Sequence, residues 1–72
     1  MSRIAALGDR EALAGYALSG VDVKHATDPD QVREAWLGIG TDVGLVLLTP
    51  EAREALPDPL DRRDLLVTVL PA

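Results

Sequence analysis

The chain reads as an α/β domain built on a parallel sheet, and three observations point there. Short β-like apolar runs alternate with helix-like segments along the chain. Each change of type is marked by glycine, proline or a capping residue, and two of the runs are apolar on both faces, as in central parallel strands. With 72 residues the chain fits one domain spanning residues 1–72, and at this size only about 60% of the unfolded surface is buried, so all elements share one core.

The first run is Ile4-Ala5-Ala6-Leu7, apolar on both sides and stopped by Gly8-Asp9. Asp9 is the expected N-cap of a helix reaching Ser19, with Ala12, Leu13, Tyr16 and Ala17 on one side of a 3.6-residue spiral. Gly20 offers the positive φ that closes such a helix. Val21-Asp22-Val23-Lys24-His25 alternates apolar and polar, which predicts a strand with one wet face at or near a sheet edge. Asp28 then caps a second helix, Pro29 takes its first position, and Gln31 stands at capping-box spacing. Its apolar stripe is Val32, Ala35, Trp36 and Ile39, with Gly38 and Gly40 at its end and Leu37 on the exposed side. Val43 to Leu48 is a continuous apolar run and the second strand expected to be buried on both faces. Thr49-Pro50 repeats the cap-and-proline start for a short helix through Ala52, Ala55 and Leu56, which Pro57 and Pro59 terminate. Leu65 to Leu70 reads as the fourth strand, stopped by Pro71.

The order βαβαβαβ implies parallel pairing through right-handed crossovers. Placing the two most apolar strands in the middle gives a four-stranded sheet of order 2-1-3-4 with three helices, a flavodoxin-like (Rossmann-like) arrangement. Right-handedness puts the first helix on one face and the other two on the opposite face. No helix follows the last strand in the sequence, so one side of strands 3 and 4 is expected to be only partly covered. Alternate residues there, Leu45, Leu47, Val67 and Val69, together with Leu37, are the candidate partner-binding residues, since exposed apolar surface marks interfaces. Self-association through that face is a further expectation.

Composition narrows the function classes. Seven basic and 12 acidic residues give a net charge of −5, which disfavours a grip on nucleic-acid phosphates. There is no cysteine, hence no disulfide framework, zinc thiolate or thiol nucleophile. The longest wholly apolar stretch falls well short of the roughly 18 residues of a membrane span. No signal peptide precedes the first strand, so a cytoplasmic protein with no direct membrane insertion is expected.

Catalytic chemistry finds little support. Ligands of open parallel sheets favour the carboxyl ends of the central strands, here Gly8, Asp9, Thr49 and Pro50. Gly8-Asp9 lacks the glycines of a dinucleotide fingerprint, and Thr49 lacks the Gly-Lys of a phosphate loop. Asp9 is therefore read as a helix cap. A phosphorylation receiver needs an acidic pair after strand 1, an aspartate after strand 3 and a lysine beyond; only Asp9 fits, since Asp42 lies at the wrong end of strand 3 and Lys24 is on strand 2. His25, the single histidine, sits at the end of an edge strand and reads as an exposed structural residue. No carboxylate or histidine set has metal-ligand spacing. Trp36 and Tyr16 read as core, and Arg62-Arg63 as a solvated turn paired with Asp61 and Asp64. No catalytic, cofactor-binding or metal residue is expected.

Four segments in order carry a resemblance: Ile4-Ala5-Ala6-Leu7-Gly8-Asp9, Gly15-Tyr16-Ala17-Leu18-Ser19-Gly20-Val21, Leu45-Val46-Leu47-Leu48-Thr49 followed by Glu51, and Leu66-Val67-Thr68-Val69-Leu70-Pro71. Together they resemble the F subunit of V-type and archaeal-type (V/A-type) rotary ATP synthases, collinear over essentially the whole chain. The resemblance implies a non-catalytic component of the central rotor stalk, cytoplasmic and peripheral to the membrane. It implies binding to the long coiled-coil D subunit of that stalk, and through it to the catalytic A/B hexamer, in coupling or regulating ATP turnover with hydrogen-ion or sodium transport. Family members continue past the last strand into a C-terminal helix that this sequence lacks, so functions of that helix are not expected here. The competing readings are a free-standing receiver-like regulatory or adaptor domain acting by protein–protein interaction, and a small-molecule enzyme.

Overall fold

In the computed structural model four strands, β1 (Arg3–Gly8), β2 (Asp22–His25), β3 (Val43–Leu48) and β4 (Leu66–Val69), form one parallel sheet. Its order is β2-β1-β3-β4, as the apolar runs predict. Helices α1 (Arg10–Ala17), α2 (Pro29–Leu37) and α3 (Pro50–Glu54) fill the three crossovers. The structure describes residues 3–17, 20–57, 62 and 64–71, without the side chains of residues 15–17. The expected core role of Tyr16 and the pairing of Asp61 and Arg63 therefore lie outside the described residues.

Each crossover starts where a side chain caps the next helix. Asp9 Oδ1 accepts from the amides of Glu11 at 2.7 Å and Ala12 at 3.2 Å, satisfying two donors that the first turn of α1 leaves open. Asp28 Oδ1 accepts from the Gln31 amide at 2.9 Å, with Pro29 inside the first turn of α2. The return arm of this box is shifted by one residue: Gln31 Oε1 accepts from the Thr27 amide at 2.9 Å and the Thr27 hydroxyl at 3.2 Å. Thr49 Oγ1 accepts from the Ala52 amide at 3.2 Å and starts α3. Gly20 adopts φ +81° after α1, as its place in the sequence predicts.

α2 stops at its glycine as the sequence predicts, whereas Ile39 and the end of α3 depart from the expectation. The last turn of α2 closes on Gly38, whose amide donates to the Glu34 carbonyl, and Gly38 does so at φ −83° with no left-handed step. Ile39 lies past the helix end yet is buried. α3 is over at Glu54, three residues before Pro57, and Arg53 Nη1 donates to the Pro57 carbonyl at 3.2 Å beyond its end.

The core lies on one face of the sheet. Ala5 and Leu7 of β1 and Val46 and Leu48 of β3 pack there with Val32 and Trp36 of α2, Ala52 of α3, and Ile39, Leu56 and Leu65. Ala6 and Leu13, both fully buried, stand outside that cluster, on the opposite face, where α1 contacts β1 and β2. Burying side chains such as Leu7, Leu13 and Leu48 contributes about 1.5–3 kcal/mol each. Ala12 is exposed, contrary to the stripe predicted for α1. Leu13 faces the sheet, and the neighbouring position is rotated by about 100° toward solvent.

Candidate functional site

Two regions are predicted to matter, the carboxyl ends of β1 and β3 and the partly bare sheet face. The first is a crevice of about 360 Å³ bordered by Asp9, Thr27, Asp28, Thr49 and Glu51. Gly8 lets the two central strand ends approach, because a Cβ at that position would stand 2.2 Å from Thr49 Cγ2. Its φ of +153° adds a second reason for glycine. Thr49 is buried, and its amide extends the ladder by donating to the Leu7 carbonyl at 3.1 Å.

Asp9, Thr27, Asp28 and Thr49 of the crevice are committed to the fold. Asp9, Asp28 and Thr49 are the caps of α1, α2 and α3, and the Thr27 hydroxyl is held by Gln31. Among the described residues no three His, Cys, Asp or Glu side chains are grouped to hold a metal ion. Among them, too, no buried side-chain polar atom lacks a partner that could be offered to a ligand. His25 is exposed at the end of the edge strand β2. Trp36 is buried in the core.

The second region is apolar, and the strand register decides its membership. Parallel pairing aligns Ile4 with Leu45, Leu45 with Leu66, and Leu47 with Thr68, so these side chains share the face that α1 covers only over β1 and β2. Ile4 and Leu66 are 39% and 73% exposed, and Leu45 and Leu47 are half-buried. Val46 aligns with Val67 and Leu48 with Val69, which puts Val67 and Val69 on the opposite face. Val67 packs against the core there, while Val69 is exposed.

The five candidate residues therefore do not form one surface. Leu45 and Leu47 lie on the bare face, Val67 and Val69 on the core face, and Leu37, 77% exposed, on the helix that covers the core face. Matching odd residues of β3 with odd residues of β4 overlooks the offset of 21 residues between partners, which pairs odd with even. Leu66 and Ile4 are the members that alternation alone misses. The exposed apolar character of both strands is legible, but a pairing register is not written in either strand alone.

Arg62 pairs with Asp64 as the sequence predicts, and it also makes a long-range contact that a solvated turn does not foresee. Its Nη1 donates to the Ile39 carbonyl at 2.9 Å, and Nε and Nη2 grip Asp64 Oδ1 and Oδ2 at 2.9 and 2.7 Å. That hydrogen bonding holds the Asp64 carboxyl below its ordinary pKa of 3.8. Further surface ion pairs among the described residues join Arg3 to Asp42, Lys24 to Asp22 and Arg33 to Asp30. Their exposed side chains make each of them worth little.

No described helix is long and apolar enough to cross a membrane. A comparison with curated proteins finds no match. The sequence pattern of the ATP synthase (F/14-kDa) subunit family, by contrast, matches residues 4–72, from the first core strand to the end of the chain. A match of that extent, on a chain whose sheet has the expected order, settles the family: the chain belongs to the ATP synthase (F/14-kDa) subunits, accessory and non-catalytic components of V/A-type ATP synthases.

Proposed function

We propose that this protein is a central-stalk component of a V/A-type rotary ATP synthase, one that binds the coiled-coil D subunit of the stalk and helps couple or regulate ATP turnover with ion transport. The observation that carries the reading is the family match over residues 4–72. The architecture is in keeping with it: Asp9, Asp28 and Thr49 at the sheet's carboxyl end cap helices, while apolar side chains stand open on the bare face.

The bare strip over β3 and β4 suits a helical partner. Helices pack about 8–10 Å apart, and two neighbouring strands span about 10 Å, so the uncovered width is that of one helix. One apolar stripe of a coiled coil, presented at i, i+3 and i+7, would cover Leu45, Leu47 and Leu66. Leu37 lies on the other side of the sheet and is a second, separate contact candidate. In the assembly the protein reaches the A/B hexamer through the coiled-coil stalk, in the cytoplasm and peripheral to the membrane.

Coexpression with the coiled-coil stalk protein tests the reading. The two chains are expected to copurify at low salt as a stable pair; separation of the folded chains on the first column contradicts it.

A further inference from the structure

We infer that β4 is a releasable edge strand and that Arg62 is the clasp holding it to the sheet. The inference rests on the clasp geometry and is independent of the stalk reading. The two edges of the sheet are built differently. β2 is half-buried at Asp22, Val23 and Lys24 and touches α1 as well as β1. In β4, Leu66 is 73% exposed, Thr68 is exposed, and Val69 is 45% exposed. Only Val67 of this strand joins the core, and only as a half-buried neighbour. Detaching β4 beyond Leu65 therefore frees little apolar surface, which is the physical condition for a segment that opens by itself.

What fastens the strand lies just before it. Asp64 grips the guanidinium of Arg62 through two nitrogens, which aims the third, Nη1, at the Ile39 carbonyl. Ile39 is 23 residues away in the segment before β3, and its own side chain is anchored in the core. The clasp thus ties the segment leading into β4 to the segment leading into β3. Leu65, buried beside the clasp, is the last core anchor before the exposed residues. The rest of the core comes from β1, β3, the helices and their connections, so it survives release of β4. Release uncovers the backbone edge of β3 from Leu45 to Leu48, converting a four-stranded sheet into a three-stranded one.

Three amides make matched probes, because each follows its strand and donates to the neighbouring strand. Ala26 donates to Gly8 at 2.9 Å, Thr49 to Leu7 at 3.1 Å, and Leu70 to Leu48 at 2.8 Å. Hydrogen exchange followed by NMR on the full chain reads them separately. The Leu70 amide is expected to exchange about 100-fold faster than the Thr49 amide, after correction for intrinsic rates, because local opening bypasses global unfolding. Arg62→Ala is expected to speed Leu70 by about a further 10-fold while the Ala26 to Thr49 ratio stays constant. Should that variant fail to fold, Asp64→Asn, which loosens the grip that aims Arg62 at Ile39 but keeps the guanidinium, is expected to give a smaller acceleration confined to Leu70. Equal exchange at Leu70 and Thr49 in the wild type overturns the inference. So does an Arg62 or Asp64 effect spread evenly over all three amides.

Discussion

Gly8 shows how one residue sets the closeness of the two central strand ends. Alanine there would drive its Cβ into the Thr49 side chain, itself buried and fixed as the cap of α3. Gly8→Ala is expected to cost at least about 2 kcal/mol in urea unfolding, from overpacking and backbone strain together. A loss below about 0.5 kcal/mol would mean that the approach is not constrained as described. Asp64 allows a test by titration. Its folded pKa is lowered chiefly by the hydrogen bonds from Arg62, so whatever stability the pair gives is present above the unfolded pKa. It is lost as pH falls through the folded value, below 3.8. In the Arg62→Ala variant the Asp64 midpoint, followed by NMR of its carboxyl carbon, is expected to rise toward 3.8; an unchanged midpoint would remove Arg62 as the cause.

At the scale of elements, the strands and their order are legible because each carries its own hydrophobic run and each helix starts with a cap and, for two of them, a proline. What a run does not carry is its alignment with a neighbour. A register irregularity between Arg3 and Ile4 shifts the pairing of β1 with β3, and the Leu45 to Leu66 pairing splits Leu45 and Leu47 from Val67 and Val69. Leu37 needs only the helical period, and it is exposed as expected. Long-range contacts such as Arg62 to Ile39 leave no local signature, so the sequence suggests the local pair of Arg62 with Asp64 and not the hydrogen bond to Ile39. The exposures predict separable effects. Leu66→Asp and Leu37→Ser are each expected to change stability by no more than about 0.5 kcal/mol, since neither side chain is buried. A loss above about 2 kcal/mol for either, measured by thermal unfolding, would show that its side chain is packed.

For the whole molecule, the proposed function asks a small acidic α/β chain, with Asp9, Asp28 and Thr49 committed to helix caps, to present its apolar sheet face to a helical partner. Ile4, Leu45, Leu47 and Leu66 are fewer than the roughly 20–30 residues a side of a standard interface, so on the same proposal the strip is expected to anchor a larger contact. On that proposal, the charge of −5 predicts a partner with a basic flank and association that is faster at low salt. Calorimetric titration of the purified coiled-coil stalk protein into this chain and its Leu66→Asp variant tests the mode of action most directly. The wild type is expected to bind with a negative heat-capacity change, and Leu66→Asp to weaken binding at least about 10-fold while its melting temperature stays unchanged. No binding by the folded wild type, or equal affinity of the two, would contradict it.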